Sequence, residues 1–166
     1  MSETEEMDAP EPRRYVIVAL FDPIPAGATI DRRRWPAHVT LLANFSTIAD
    51  EADVVARVGD AVGDLASFDV ELGAADWFGR HHDVPVLLVR SKEAVRLHER
   101  LADELASLNG HAADEPGYMR NGYRPHLTLG PDVSAAEGDR RAVKAIALAD
   151  LRGPHATVVA SFDLVR

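Results

Sequence analysis

The chain has 166 residues, 46% of them hydrophobic and 27% charged, a composition that suits one compact globular domain and excludes a disordered or fibrous protein. It contains no cysteine, which removes disulfides, zinc–thiolate clusters and thiol nucleophiles. The net charge is −9, and setting aside Glu3, Glu5, Glu6, Asp8 and Glu11 takes the balance to −4, so no strongly basic face for long nucleic acid is expected.

Residues 1–12, rich in Glu and Pro without periodicity, read as a disordered acidic tail, and residues 13–166 as a single domain. The longest apolar run, Tyr15 to Phe21, falls far short of the roughly twenty residues a membrane helix needs. The acidic start lacks the apolar stretch of a signal peptide. A cytoplasmic, monomeric protein with no membrane partner is the expectation.

Tyr15 to Phe21 is continuously apolar and β-branched, the pattern of a central strand covered on both faces. A Pro- and Gly-containing loop follows. Trp35 to Phe45 alternates as a strand, and Asp50 is placed to cap a helix with Val54, Val55, Val58, Val62 and Leu65 on one stripe. Phe68, Val70 and Leu72 mark a half-buried strand, paired as a hairpin with Val84–Arg90 across the polar turn Gly79–Asp83. Ser91 caps a second helix carrying Leu97, Leu101, Leu105 and Leu108 up to Asn109-Gly110. Arg124–Gly130 reads as a strand, Ser134 with Glu137 as the capping box of a third helix, and His155–Val165 as a last strand with Val158, Ala160, Phe162 and Leu164 on one face. The sum is an α+β fold.

One motif recurs. Residues 36–41 read Pro-Ala-His-Val-Thr-Leu and residues 125–129 read Pro-His-Leu-Thr-Leu. Strand alternation puts His38, Thr40 and Asn44 on one face and Ala37, Val39, Leu41, Ala43 and Phe45 on the other. In the second copy Arg124, His126 and Thr128 share a face, with Leu127 and Leu129 opposite. An ordinary solvated strand face carries Lys, Glu, Gln or Ser; two faces of His, Thr, Arg and Asn suggest a shared groove for an anion.

These tetrads, His38-Val-Thr-Leu41 and His126-Leu-Thr-Leu129, resemble the two that define the two-histidine phosphoesterase superfamily, in particular its 2′-5′ RNA ligase and cyclic phosphodiesterase group. The resemblance implies two pseudo-symmetric lobes, with antiparallel sheets lining a central cleft and helices outside. It also implies hydrolysis of a 2′,3′-cyclic phosphate on an RNA end or nucleotide to a 2′-phosphate, and the related 2′-5′ ligation when a 5′-hydroxyl replaces water. His126 would then be the base and His38 the acid, with no metal or other cofactor. The family's usual helix between the first strand and the first tetrad is missing, since only Asp22–Arg34 lies there.

Within that scheme Thr40 and Thr128 would donate hydrogen bonds to non-bridging phosphate oxygens and Arg124 would add a charge-assisted contact. Tyr123 and Trp35 are candidates for stacking on a base. His81 and His82 lie in a turn with no assigned role, and His98, His111 and His155 carry no signal. No His-Glu-x-x-His, His-x-His or Gly-rich phosphate loop is present. A non-catalytic RNA- or nucleotide-binding module on the same fold is the alternative.

Overall fold

The apolar run at Tyr15 forms β1 (Arg13–Leu20), and its last six residues are all buried. Successive residues enter different clusters: Tyr15, Ile17 and Ala19 join one, Val16, Val18 and Leu20 the other. A strand with both faces covered needs an apolar side chain at every position, which is why the run does not alternate. This computed structural model describes residues 11–165. The expected tail therefore lies largely outside the described residues; Glu11 and Pro12 are exposed and irregular.

After β1 come β2 (Thr29–Asp31), β3 (His38–Thr47), helix α1 (Glu51–Val62), β4 (Phe68–Phe78), β5 (Val84–Arg90) and helix α2 (Lys92–Leu105). Then follow β6 (Ala112–Ala113), two single-turn 3₁₀ segments at Pro116–Tyr118 and Arg120–Gly122, β7 (His126–Thr128), β8 (Arg140–Val143), β9 (Ala145–Arg152) and β10 (His155–Asp163). The strands make one sheet in the order β2-β10-β9-β1-β3-β7-β5-β4-β8, with β6 added alongside β3 and every named pairing antiparallel.

Both helices pack on one face of this sheet and against each other. They bury Val54, Val58 and Val62 from α1 and Leu97, Leu101 and Leu105 from α2 in the larger cluster. Ser91 caps α2 as expected, its Oγ accepting from the Ala94 N–H at 3.0 Å. Asp50 holds the cap position of α1, but its carboxylate bonds no helix N–H; its carbonyl accepts from Asp53 and Val54 instead. The other face of β1, β9 and β10 is covered by the segment between β1 and β3, through Ile30 of β2 and Ile24 and Trp35 of the irregular stretches around it.

Three expectations are corrected. No third helix starts at Ser134. Gly138 takes φ +95°, and the backbone there pairs with β4, Gly138 N–H to Leu72 O at 2.7 Å and Leu72 N–H to Asp139 O at 2.8 Å. The Ala-rich stretch beyond becomes β9, buried from Ala145 to Leu151 between β1 and β10; covering both faces outweighs the helix propensity of alanine. Second, the strand expected over Arg124–Gly130 is only His126–Thr128.

Third, irregular pairing shifts two faces. In β10 an extra residue between Val158 and Ala160 places Ala156 and Val158 in the smaller cluster but Ala160 and Phe162 against the larger one. In β3 the register against β1 slips near Leu42, so Leu41 and Leu42 are both fully buried, and Ala43, expected in the core, borders the open side with Thr40.

Candidate active site

β3 and β7 meet at a single paired position, Val39 opposite Leu127, both fully buried. Antiparallel geometry then fixes the neighbours, setting His38 beside Thr128 and Thr40 beside His126, all four on the face away from the core. The two histidines occupy one diagonal of this square, about 7–8 Å apart at the backbone. The face that the sequence marked as polar in each copy is thus one continuous surface, made where the two halves of the sheet abut.

Each histidine stands at the first residue of its strand and turns back on its own chain. His38 Nδ1 lies 2.8 Å from the Pro36 carbonyl and His126 Nδ1 lies 2.8 Å from the Arg124 carbonyl. A carbonyl only accepts, so each Nδ1 carries a proton and each Nε2 is left free for chemistry. Both pKa values are lowered from the ordinary 6.5. Burial is the main cause in both, opposed by the carbonyl bond; the His126 charge further disfavours protonation of His38, and the Arg124 charge that of His126.

An aromatic ring flanks each imidazole. Trp35 sits 4.9 Å from His38 and also seals the smaller cluster. Phe78, at the end of β4, meets the His126 ring edge-on at 4.5 Å, and the Arg124 guanidinium lies 4.8 Å over the same phenyl. Arg124 is also paired with Asp76 at 3.1 Å. The Asp76 carboxyl is held below its usual range, first by the Trp77 N–H and then by Arg124. Arg124 therefore approaches the site with its charge already partly matched.

Tyr123 does not stand free as a stacking platform. Its ring lies flat on His98 at 4.0 Å, within 1° of parallel, and its hydroxyl donates to the Thr40 carbonyl at 2.8 Å. Burial pushes its phenol well above the usual range. His98, which carried no signal, is 1% exposed and has both nitrogens engaged: Nδ1–H donates to the Leu41 carbonyl at 2.7 Å and Nε2 accepts from the Arg120 N–H at 2.9 Å. Those partners demand a neutral ring, and burial lowers its pKa accordingly. A chain of contacts thus runs from α2 through Tyr123 to the backbone of the first tetrad. The signal was present, because His98 falls at helical spacing with Ala94, Leu101 and Leu105, all buried.

A groove of about 390 Å³ opens beside His126 and Thr40 and runs between the β4–β5 hairpin and the segment from Tyr118 to Arg124. His82, with φ +51°, reaches its rim, whereas His81 is exposed in the turn. A larger hollow of about 850 Å³ lies at the far end of β1 and contains neither tetrad. Among the described residues no three His, Asp or Glu side chains converge as metal ligands, and no helix is long and apolar enough to cross a membrane.

The family model described as the 2′-5′ RNA ligase superfamily matches residues 13–166 of the chain. No curated protein matches it. Among solved structures, one described as a phosphoesterase is 18% identical, with a TM-score of 0.58 over 94% of this chain and 100% of the other. TT0787 of Thermus thermophilus is also 18% identical, at 0.58 over 91% and 97%. E. coli LigT complexed with 3′-AMP is 17% identical, at 0.57 over 94% and 100%. These likenesses establish a shared fold, and with the match that spans nearly the whole chain they place this protein in the 2′-5′ RNA ligase superfamily.

Proposed function

We propose that the protein is a metal-independent phosphodiesterase that opens a 2′,3′-cyclic phosphate on an RNA end or nucleotide to a 2′-phosphate. The observation that carries this is the register of β3 against β7, which brings both tetrads to one face, with no hydrogen-bond partner on either Nε2 among the described residues. The folds of nucleotide-bound LigT structures support the same substrate class.

Water attacks phosphorus while the bond to the ribose 3′-oxygen breaks. One imidazole removes the proton from water at Nε2, and the other donates its Nε2 proton to the departing oxygen. The family resemblance makes His126 the neutral base and His38 the acid. Thr40 and Thr128 hold the non-bridging oxygens, where negative charge grows in the transition state. Because both imidazoles are disposed to be neutral in the free protein, the anionic phosphate itself draws the proton onto His38. A 5′-hydroxyl in the place of water yields a 2′-5′ linkage by the same two transfers.

The test is incubation of nucleoside 2′,3′-cyclic phosphates with the purified protein in excess EDTA, with the product isomer identified by phosphorus NMR. A 2′-phosphate product is expected. Absence of turnover with retained nucleotide binding would favour the binding-module alternative, and activity restored only by added zinc or manganese would overturn the acid–base scheme.

A further inference from the structure

On its edge away from β1, strand β3 pairs with β7 at Val39 and meets β6 from Phe45 onward, so among the described residues no strand partners Thr40 to Asn44 there. On the edge toward β1 the register passes from Ile17–Leu42 to Val18–Thr40, which leaves Leu41 as an extra residue. Backbone groups in such a stretch need partners from outside the ladder. Two of the three observed come from side chains. The Tyr123 hydroxyl donates to the Thr40 carbonyl at 2.8 Å and His98 Nδ1–H to the Leu41 carbonyl at 2.7 Å, while the Asp114 N–H donates to the Asn44 carbonyl at 2.9 Å.

The phenol that reaches Thr40 is itself held from two sides. Its ring lies on the buried His98, whose Nε2 takes the Arg120 N–H. Arg120 adopts φ +59°, a conformation that persists only where the surroundings enforce it, and is anchored to α2 through Glu99 at 2.8 Å and Asp103 at 2.7 Å. In the other direction Tyr123 stands three residues before His126. That short run is pinned as well: the Arg124 carbonyl accepts from His126 Nδ1–H at 2.8 Å, and the Pro125 carbonyl from the Val89 N–H of β5 at 2.9 Å. One residue therefore joins both tetrads, by its hydroxyl to the backbone of the first and by fixed main chain to the second.

We infer that Tyr123 is a positioning residue for the phosphate chemistry, holding the Thr40 backbone so that the Thr40 hydroxyl stands at a set place relative to His126. The inference rests on the proposed function for the phosphate that lies between them. A β-branched side chain is stiff about its first bond, so any shift of the Thr40 backbone is carried straight to its hydroxyl. A misplacement of about 1 Å at a reacting centre can cost roughly 10²-fold in rate. The role belongs to the Tyr123 hydroxyl and not to its ring, which distinguishes it from stacking on a ligand. Burial pushes the phenol well above its usual range, so the donating proton stays in place wherever the imidazoles titrate.

The experiment is a double-mutant cycle read in two ways. Tyr123→Phe deletes the hydroxyl and keeps the ring on His98, so the variant loses one hydrogen bond and no packing. With adenosine 2′,3′-cyclic phosphate its kcat should fall roughly tenfold, less than in Thr40→Val, where the donor itself is gone. Both limbs of the pH profile should keep their positions. Thr40→Val combined with Tyr123→Phe should turn over about as fast as Thr40→Val alone, because a hydroxyl that acts through Thr40 then has nothing left to position. A merely structural tyrosine would add its own loss in either background. Calorimetry with 2′-AMP needs no turnover and should repeat the pattern, with weaker binding in each single variant and no further loss in the double; where turnover occurs, the kinetic pattern decides. Losses that multiply, a Tyr123→Phe enzyme as fast as the wild type, or a displaced pH limb overturn the positioning role and leave the phosphodiesterase standing. The non-additive pattern in 2′-AMP binding without turnover of any cyclic phosphate supports the positioning role and overturns the phosphodiesterase. A wild type that neither turns over a cyclic phosphate nor binds 2′-AMP overturns both.

Discussion

Replacing His98 with Phe keeps a ring of similar shape against Tyr123 but removes both ring nitrogens. The Leu41 carbonyl and the Arg120 N–H then lose their partners in a site where the side chain is 1% exposed. A buried backbone group left without a partner costs about 1–3 kcal/mol; that applies in full to the Leu41 carbonyl and in part to the Arg120 N–H, which is only partly buried. Together they take a large share of the roughly 5–15 kcal/mol that holds a domain folded. The same substitution changes the response to acid. The His98 pKa lies below 6.5 in the folded protein, chiefly from burial, with Glu99 and Arg120 pulling in opposite directions. The unfolded chain therefore binds more protons below pH 6.5, and stability is full above that pH and declines from there down to the folded-state value, at up to about 1.4 kcal/mol per pH unit for this group. Urea unfolding at about pH 7.5 and pH 5.5, on either side of ordinary imidazole titration, reads both effects. His98→Phe should be less stable at the higher pH and should lose less on acidification than the wild type, whose His38, His111 and His126 are depressed in the same direction and remain. Equal stability at the higher pH, or an unchanged loss between the two pH values, would refute the neutral, doubly bonded assignment.

Other outcomes follow from the site. His38→Ala and His126→Ala should each lower turnover of a cyclic phosphate by roughly 10²- to 10⁴-fold, and the double variant should lose far less than the product, as measured by steady-state kinetics. The kcat/KM profile should be a bell displaced to the acid side of ordinary imidazole titration, because both histidines are shifted down, and each single variant should lose one limb. Thr40→Val and Thr128→Val should slow the reaction while leaving both limbs, since a hydroxyl does not titrate in this range. Gly122→Ala should displace the turn around residues 116–123, where an added Cβ would collide with the Gly117 carbonyl, read as a local loss of amide hydrogen-exchange protection.

The tetrads were legible because a strand has a period of two and the motif occurs twice, so polar residues at alternate positions had to share a face. That both faces form one surface was not legible, since it depends on which strands become neighbours. The third helix was misplaced because Ala142 to Leu151 has strong helical propensity, and only the neighbours of β9 on both sides show why a strand wins. Face assignments failed where a bulge changes parity, at Leu42 and at Val159, since an added residue leaves no mark on composition. Tyr123 was singled out for stacking on a base, and the structure packs its ring inside the protein. Its aromatic character signalled stacking, but its partner is His98, far back along the chain on α2.

The join between β3 and β7 has mechanical consequences. Elsewhere the central strands share long ladders, β1 with β3 and β9 with β10, but β3 and β7 pair at one position, and the square of His and Thr residues straddles it; the halves of the sheet are joined a second time by the Ala66–Val165 bridge. The gap between the imidazoles is therefore set across a thinly paired line of the sheet, bridged additionally by the Tyr123 hydroxyl on the Thr40 carbonyl. A phosphate gripped from both sides would act as a clasp across that line. Ligand occupancy should then stiffen this join, coupling the separation of the acid and base to the presence of the group on which they act.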